Sequence, residues 1–132
     1  MQTVSFPATG SAPTNRISAV NATSYTYDVN GNVTNDGTHT YAYDAENRLV
    51  SVDSGATASY AYDQQNRRYK KTAGGSVTHY VWQGGQVMAE YNGGTGAVQA
   101  QYYYAGSRLF EKVSGGSTQV LLSVTKHEKV TQ

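Results

Sequence analysis

The sequence contains no cysteine, which excludes a disulfide framework and thiolate metal sites. Leucine occurs only four times, and no apolar run approaches the length of a membrane-spanning helix. The first fifteen residues lack the basic stretch and apolar run of a signal peptide. A net charge of +1 gives no field that would steer the chain to nucleic acid or anionic lipid. These absences argue against a helical core, a membrane span and a nucleic-acid partner.

What the chain has instead is tyrosine, with 12 tyrosines against two phenylalanines and one tryptophan. Thr, Val, Ser and Gly are also frequent, and this composition favours strands and turns. A buried tyrosine ring contributes much apolar area, but its hydroxyl needs a partner or water. The composition therefore predicts thin sheet layers in which the tyrosine rings are buried and their hydroxyl oxygens reach solvent at the edge of the layer.

A repeat runs through the chain. Residues 25–33 recur as residues 41–49 and 60–68, and two shorter, worn copies follow at residues 80–87 and 102–109. A half copy opens the series at residues 15–17. The second aromatic residue of the full copies falls at positions 27, 43, 62, 82 and 104, with spacings of 16, 19, 20 and 22 residues. Such a period suits a unit of two short strands with their turns.

Each copy predicts a β-hairpin. The Tyr-x-Tyr pair has the period of a strand, so both rings share one face. In the following Asp-x-x-Asn or Asp-x-x-Gly, the carboxylate can accept backbone N–H groups two residues on, and Asn or Gly tolerates positive φ. The chain then returns as a second strand, in which Leu49 and residues two apart share a face. We expect ten to twelve short antiparallel strands with aligned aromatic rows.

The predicted fold is therefore all-β, an antiparallel β-hairpin repeat sheet that is curled or solenoid-like. The predicted organisation is a lead-in over residues 1–14, repeats over 15–113, and a C-terminal strand or tail over 114–132. The predicted site is structural, and its residues are Tyr25, Tyr27, Asp28, Tyr41, Tyr43, Asp44, Asn47, Arg48, Tyr60, Tyr62, Asp63, Asn66, Arg67, Tyr80, Trp82, Tyr102 and Tyr104.

Copies of the form Tyr-x-Tyr-Asp-x-x-Asn-Arg-Leu resemble the YD repeat of the RHS family, which includes toxin-complex shells and the teneurin barrel. The resemblance spans residues 15–113. It implies a segment of a YD-repeat shell from a larger exported protein, secreted or at the cell surface, whose strands spiral around a toxin domain or display surfaces for adhesion and carbohydrate. Two features depart from the family: the repeats are fewer, and its Asp-Pro-x-Gly cleavage region is absent. Autoproteolysis is therefore not expected.

No catalytic motif is present, and the sequence predicts no enzyme activity, catalytic residue, cofactor or metal ligand. His39 and His79 are expected on strand surfaces, and His127 is the third imidazole. The repeated positions of Asp28, Asp44 and Asp63 are typical of turn formers, whereas a catalytic acid is usually singular.

Three binding patterns have alternatives. The run Asp28-x-Asn30-x-Asn32 is similar to the start of a calcium loop, but its glycine is misplaced and His39 holds the closing position, so an Asx turn is favoured. Residues 67–71 interleave four basic residues with Tyr69, which suits single-stranded nucleic acid or, as favoured here, a solvated strand that discourages edge pairing. Asn21 and Asn32 begin glycosylation triplets that also arise by chance.

The sequence favours a structural scaffold that encapsulates or displays other domains. The alternative is a carbohydrate-binding or adhesion module using exposed tyrosine rows, and a weaker one is an enzyme in the degenerate second half. Expected partners are other parts of a larger RHS protein, glycans, or further copies paired at open sheet edges, with residues 121–124 as a strand that could be donated. Replacing Tyr43 or Tyr62 with alanine is expected to cost about 3–5 kcal/mol if the ring is fully buried, and Tyr91 far less.

Overall fold

The computed structural model describes residues 1–7 and 16–120. Its strands are β1 (Val4–Ser5), β2 (Ala19–Val20), β3 (Thr23–Ser24), β4 (Thr26–Tyr27), β5 (Val33–Asn35), β6 (Tyr41–Tyr43), β7 (Leu49–Val52), β8 (Ala58–Tyr62), β9 (Arg68–Ala73), β10 (Ser76–Gln83), β11 (Gln86–Asn92), β12 (Val98–Ala105), β13 (Arg108–Ser114) and β14 (Ser117–Val120). The only helical element in these residues is a 3-10 turn at Asp53–Gly55. The prediction of an all-β fold is confirmed.

The strands form antiparallel sheets. The largest contains nine strands in the order β14-β13-β12-β11-β10-β9-β8-β7-β6, and smaller sheets are formed by β1-β2-β3 and by β4-β5. Within each sheet, strands that are neighbours in sequence pair with each other, as expected for a run of hairpins. The described residues contain 14 strands rather than ten to twelve, because the first sixty residues include several strands of only two residues. Residues 121–124, the strand predicted to be available for donation, lie outside the described residues.

The chain divides into two compact units, Met1–Ala61 with Lys71–Gly75, and Tyr62–Lys70 with Ser76–Gln132. The first unit holds the β4-β5 and β6-β7 hairpins, and β7 also pairs with β8 through Ser51 and Val52. The second unit holds the β10-β11 and β12-β13 hairpins, which β11-β12 pairing joins, and β14 pairs with β13. Each unit thus repeats the hairpin that the sequence predicts.

A β-bulge occurs just before the second aromatic residue in four copies. The register shifts between Thr26 and Tyr27, Ala42 and Tyr43, Val81 and Trp82, and Tyr103 and Tyr104. In each case the returning strand contributes one extra residue, so that Tyr43 pairs with Leu49 whereas Ala42 pairs with Ser51. The expected period of two in the returning strand is therefore wrong. Leu49 and Val52 both lie opposite rings although they are three residues apart.

The core is small. Among the described residues only Val52, Ala58, Ala89 and Ala100 are buried hydrophobics, and no large side chain is fully buried. The aromatic rings of the repeat are half-buried, and so is Tyr91. The expected loss of about 3–5 kcal/mol at Tyr43 or Tyr62 required a fully buried ring, and neither ring is fully buried. Tyr91 is half-buried like them, so its exposure does not predict a smaller loss. For a half-buried ring we expect a loss of about 1–2 kcal/mol.

Candidate functional site

Two turns of the repeat share one arrangement of carboxylate and arginine. In one, Asp44 Oδ1 accepts the backbone N–H groups of Glu46 and Arg48 at 3.0 and 2.9 Å. The other oxygen, Asp44 Oδ2, accepts Arg48 Nε at 2.7 Å. The Asp63 turn has the same bonds from Gln65 N, Arg67 N and Arg67 Nε, at 2.9, 2.9 and 2.8 Å. The carboxylate therefore closes the turn and also fixes the arginine that follows it.

The third residue after the aspartate requires a left-handed backbone. Asn47 and Asn66 have φ of 61° and 62°, and Gly31 has φ of 93°. Asparagine and glycine adopt this region at the lowest cost, which explains why these residues occupy the position. The predicted turn chemistry is confirmed, whereas the ion pair from aspartate to arginine was not foreseen.

The Asp28 turn uses an amide in place of the arginine. Asp28 Oδ1 accepts Asn32 N at 2.8 Å, and Asp28 Oδ2 accepts Asn32 Nδ2 at 2.9 Å. Both carboxylate oxygens are thus engaged within an Asx-type turn, as the favoured interpretation expects. Within the described residues no group of three or more His, Cys, Asp or Glu could hold a metal ion.

Hydrogen bonds shift the pKa of the turn carboxylates. For Asp28, the side-chain bond from Asn32 lowers the pKa and outweighs the effect of burial. For Asp44 and Asp63, burial acts to raise the pKa, but bonds from the backbone and side chain of Arg48 and Arg67 outweigh it, so the pKa is lowered. All three carboxylates are therefore held in the charged form that the turn requires.

A second contact links successive copies through the second aromatic residue. Arg48 and Arg67 occupy equivalent places in the two closest copies, and we call this place, which falls at residues 16, 32, 48, 67, 86 and 108, the arginine position. The residue that follows it in each copy is the leucine position. Tyr27 Oη donates to Ile17 O at 2.7 Å, Trp82 Nε1 to Arg68 O at 2.9 Å, and Tyr104 Oη to Val87 O at 2.8 Å. Each acceptor is the leucine position of the preceding copy. The polar atom of the ring therefore bonds the carbonyl of the hairpin before it.

A third contact runs the other way, from the arginine position to the next turn. Asn32 Nδ2 donates to Asn47 Oδ1 at 2.8 Å. Arg67 Nη1 donates to Gly84 O at 2.9 Å, and Gln86 Nε2 donates to Gly106 O at 2.8 Å. Arg16 follows the same pattern, since a Cβ at Gly31 would collide with its guanidinium. The two contacts occur together between the half copy and the first copy, between the third and fourth copies, and between the fourth and fifth.

Cations lie over several rings. Arg16 is 5.5 Å from the ring centroid of Tyr27, Arg68 is 5.1 Å from Tyr80, and Lys112 is 5.3 Å from Tyr102. Tyr102 also donates its hydroxyl to Glu90, and burial together with this bond raises the pKa of Tyr102. The half-buried ring face is therefore covered partly by charged side chains rather than by an apolar layer.

A polar cluster around His39 was missed by the sequence analysis. His39 Nδ1 lies 2.7 Å from Asp53 Oδ2, which also accepts Thr57 Oγ1, and Asp53 Oδ1 accepts Thr40 N at 2.9 Å. Bonds from Thr57, Thr40 and His39 lower the pKa of Asp53. The expectation of a simple strand-surface histidine at position 39 is thus wrong, because the residue precedes β6 and pairs with a carboxylate.

Asp36 extends this polar cluster. Its Oδ2 accepts the hydroxyl of Tyr41 at 2.6 Å, and its Oδ1 accepts His39 N at 2.8 Å. The bond to Tyr41 and the backbone bonds lower the pKa of Asp36 to about 2, and the same hydroxyl bond raises the pKa of Tyr41 to about 12. Among the described contacts, no serine or cysteine bonds to this cluster. Its hydrogen bonds hold the backbone that leads into β6.

The remaining candidates are dispersed. His79 is exposed on β10, and His127 lies outside the described residues. Arg67 lies in the Asp63 turn, and β9 begins at Arg68, so the strand expected over residues 67–71 starts one residue later. Tyr69 remains 43% exposed within β9. In the described part of the chain, no helix is long and apolar enough to cross a membrane.

Comparison with known proteins gives partial matches. No family model matches the chain. The chain is 33% identical over 81 residues to the tRNA3(Ser)-specific nuclease WapA of Bacillus spizizenii, and 37% identical over 81 residues to the tRNA nuclease WapA of Bacillus subtilis. Each match covers 58% of this chain and 4% of the relative. The chain therefore spans about 4% of the length of the curated relatives that it matches.

Proposed function

We propose that this chain is a structural scaffold, a segment of an RHS/YD-type shell that encapsulates or displays other domains of a larger exported protein. The observation that carries the proposal is the set of contacts between successive copies, in which Trp82 and Tyr104 bond the copy before them and Arg67 and Gln86 bond the turn after them. The charged and polar groups of the repeat are used in turns and between copies. The site is thus mechanical, and its natural partners are other parts of the same protein.

The similarity to tRNA nucleases supports a place in a long toxin-like polypeptide. It covers 4% of each relative, so the nuclease activity in their names can reside in parts that this chain does not match. A repeat segment beside a separate nuclease domain accounts for both the matched names and the repeated turns. We therefore assign this segment no catalytic step and place it, within such a protein, outside the cell or at its surface.

A tRNA cleavage assay tests this assignment. The purified chain is incubated with total tRNA, with and without divalent cations, beside a His39→Ala variant that removes the His39–Asp53 pair. We expect intact tRNA in every reaction. Cleavage that co-purifies with the folded chain and is lost in the variant would make it an enzyme and overturn the scaffold assignment.

A second candidate function, carbohydrate binding, is favoured by two tyrosines outside the repeated pairs. Tyr69 and Tyr103 are 43% and 48% exposed, whereas the rings of the repeat are half-buried. Exposed rings can stack on sugars, and Gln101, which accepts the Tyr103 hydroxyl at 3.4 Å, offers an amide beside one of them. A glycan array with Tyr69→Ala and Tyr103→Ala variants tests this candidate, and unchanged or absent glycan signals would remove it.

A further inference from the structure

We propose that Asn30 is a self-modification site, at which the backbone nitrogen of Gly31 attacks the side-chain amide of Asn30. A bond forms between Gly31 N and Asn30 Cγ, and the proton of the Gly31 N–H passes through water to the amide nitrogen, which leaves as ammonia. Water then opens the resulting succinimide ring at either carbonyl, so residue 30 becomes aspartate or isoaspartate. The reaction needs only water, and the inference does not depend on the scaffold function.

Two places in the sequence have the residues for this reaction, Asn30-Gly31 and Asn92-Gly93. Glycine matters because a side chain on the attacking residue would crowd the nitrogen and restrict the backbone that must bring it to the amide. The first pair lies in the turn between β4 and β5, and the second begins at the last residue of β11. The dipeptides are identical, so a difference in their rates must come from their surroundings.

The Asn30 amide is accessible and unbonded. Asn30 is exposed, and the preceding Val29 is 98% exposed. Within residues 1–7 and 16–120, the Asn30 side chain makes no hydrogen bond. Gly31 N donates to Asp28 O at 3.1 Å, a bond that lies within the same turn. Opening this single turn therefore releases the nitrogen for attack on the amide.

A positive charge lies beside the attacking nitrogen. The guanidinium of Arg16 occupies the space that a Cβ on Gly31 would fill, and it lies 5.5 Å from the ring centroid of Tyr27. The nitrogen attacks in its deprotonated, negatively charged form, which a neighbouring cation favours. We therefore expect Arg16 to speed the attack on Asn30.

The Asn92 pair is held at both the amide and the nitrogen. Asn92 Oδ1 accepts Gly94 N and Thr95 N, each at 2.9 Å. Gly93 N donates to Val77 O in β10 at 2.8 Å, and a Cβ on Gly93 would collide with Val77. Attack here must first break these bonds, so we expect the reaction at Asn92 to be at least about tenfold slower than at Asn30.

Isoaspartate, one of the two products, does not fit the Asp28 turn. It adds one carbon atom to the main chain between residues 30 and 31. The turn is closed across these residues by Asp28 N, which donates to Asn32 O at 3.0 Å, and by Asn32 N, which donates to Asp28 Oδ1 at 2.8 Å. A longer main chain disrupts this closure, so the modified chain should have a lower thermal midpoint.

Mass spectrometry of the full chain tests the proposal. The chain is incubated at mildly alkaline pH, peptide maps follow the added mass at each Asn-Gly pair, and isoaspartyl methyltransferase labels the isoaspartate. We expect Asn30 to react at least about tenfold faster than Asn92 in the folded chain, and at a similar rate in urea, where the surroundings are lost. Equal rates in the folded chain, or faster reaction at Asn92, would overturn the proposal.

Substitutions at Arg16 test the role of the charge. Arg16→Gln should slow the reaction at Asn30 about two- to tenfold in buffer and leave it unchanged in urea. Arg16→Lys keeps the charge and should restore most of the rate. A rate in folded Arg16→Gln that equals or exceeds that of the parent chain would overturn the role assigned to Arg16.

Asn30→Gln is the matched control for the effect on the turn, because it keeps an amide but lengthens the side chain that must form the ring. The variant should stay unmodified at residue 30 and keep its thermal midpoint on storage, while the midpoint of the parent chain falls. A parent chain that forms isoaspartate at residue 30 without a fall in its midpoint would overturn the predicted effect on the turn.

Discussion

At the scale of single residues, three copies of the repeat use the polar atom of the second aromatic ring to bond the copy before them. Phenylalanine would fill the same space between neighbouring strands, but it could not bond the carbonyl of the preceding copy. Tyr104 makes that bond to Val87 O at 2.8 Å, and Trp82 makes it with an indole nitrogen at 2.9 Å. Two chemically different rings therefore satisfy one requirement, which explains why tyrosine can be replaced by tryptophan in the fourth copy.

Removing one hydroxyl tests this requirement. We expect Tyr104→Phe to lower the free energy of unfolding by about 1 kcal/mol, because the carbonyl of Val87 loses its partner. The control is Tyr43→Phe, since the Tyr43 hydroxyl makes no hydrogen bond with the described residues. That change should stay within about 0.5 kcal/mol. Urea unfolding of both variants measures the difference, and equal losses would contradict the role of the ring oxygen.

The lowered pKa values of the aspartates predict a loss of stability in acid. A carboxylate whose pKa is lower in the folded state stabilises the fold above its unfolded pKa, near 3.8, and that contribution disappears as the pH falls through the folded value. For Asp36 the folded pKa is about 2, and Asp28, Asp44 and Asp63 shift in the same direction. We therefore expect the thermal midpoint to be constant from pH 7 to 5 and to fall between pH 4 and 2.

A matched variant isolates one contributor to this acid transition. Asp36→Asn removes the titrating group but keeps an oxygen that can accept the backbone N–H of His39. The variant should be less stable at pH 7 and should lose less stability on acidification than the parent chain. Parallel pH profiles for the two proteins would show that Asp36 does not contribute.

At the scale of the hairpin, the turns require particular backbone conformations at particular positions. Gly84 has φ of 58°, whereas its neighbour Gly85 is not among the positive-φ residues, and neither would meet another atom within 4 Å if a Cβ were added. We expect Gly84→Ala to cost about 1–2 kcal/mol in the free energy of unfolding, because alanine is strained in the left-handed region. Chemical denaturation measures the cost.

Gly85→Ala is the control in the same turn. Its φ lies outside the left-handed region and space is open around it, so the change should be neutral or stabilise by up to about 1 kcal/mol through the unfolded state. An equal loss for both variants would indicate that the turn is sensitive to any side chain rather than to backbone conformation.

The sequence predicts the parts of the hairpin that are decided locally. Tyr-x-Tyr alternation and the Asp-x-x-Asn turn each depend on neighbours within five residues, and both are found where expected. The bulge before Tyr43 and the bond from Gln86 to Gly106, 20 residues away, depend on how one strand meets another. The His39–Asp53 pair joins residues 14 apart, and no recognisable sequence motif connects them. No local pattern specifies such contacts, so sequence reasoning missed them.

At the scale of the whole molecule, the small core limits what packing alone can contribute. Four small or medium hydrophobic residues are buried among the described ones, and the aromatic rings remain half-buried. Stability must therefore come largely from cross-strand pairing, turn chemistry and the contacts between copies. A chain of this kind gains from each added neighbour, which is typical of repeat proteins.

The same architecture predicts association through sheet edges. β14 and β6 are the outermost strands of the nine-stranded sheet, and an unpaired edge recruits other strands. We expect concentration-dependent self-association in sedimentation velocity. Thr118→Lys, which places a charge on exposed β14, should reduce it, while Thr118→Ser should not. A chain that stays monomeric at high concentration, with or without the lysine, would contradict this expectation.

The central claim is that the second aromatic rings at Tyr27, Trp82 and Tyr104 each bind their hairpin to the copy before it. The most direct measurement is a set of nuclear Overhauser contacts from the ring protons of Trp82 and Tyr104 in solution. The account predicts contacts from Trp82 to Arg68 and Val87, and from Tyr104 to Val87 and Leu109. Rings that contact only their own strands, or unrelated loops, would contradict it.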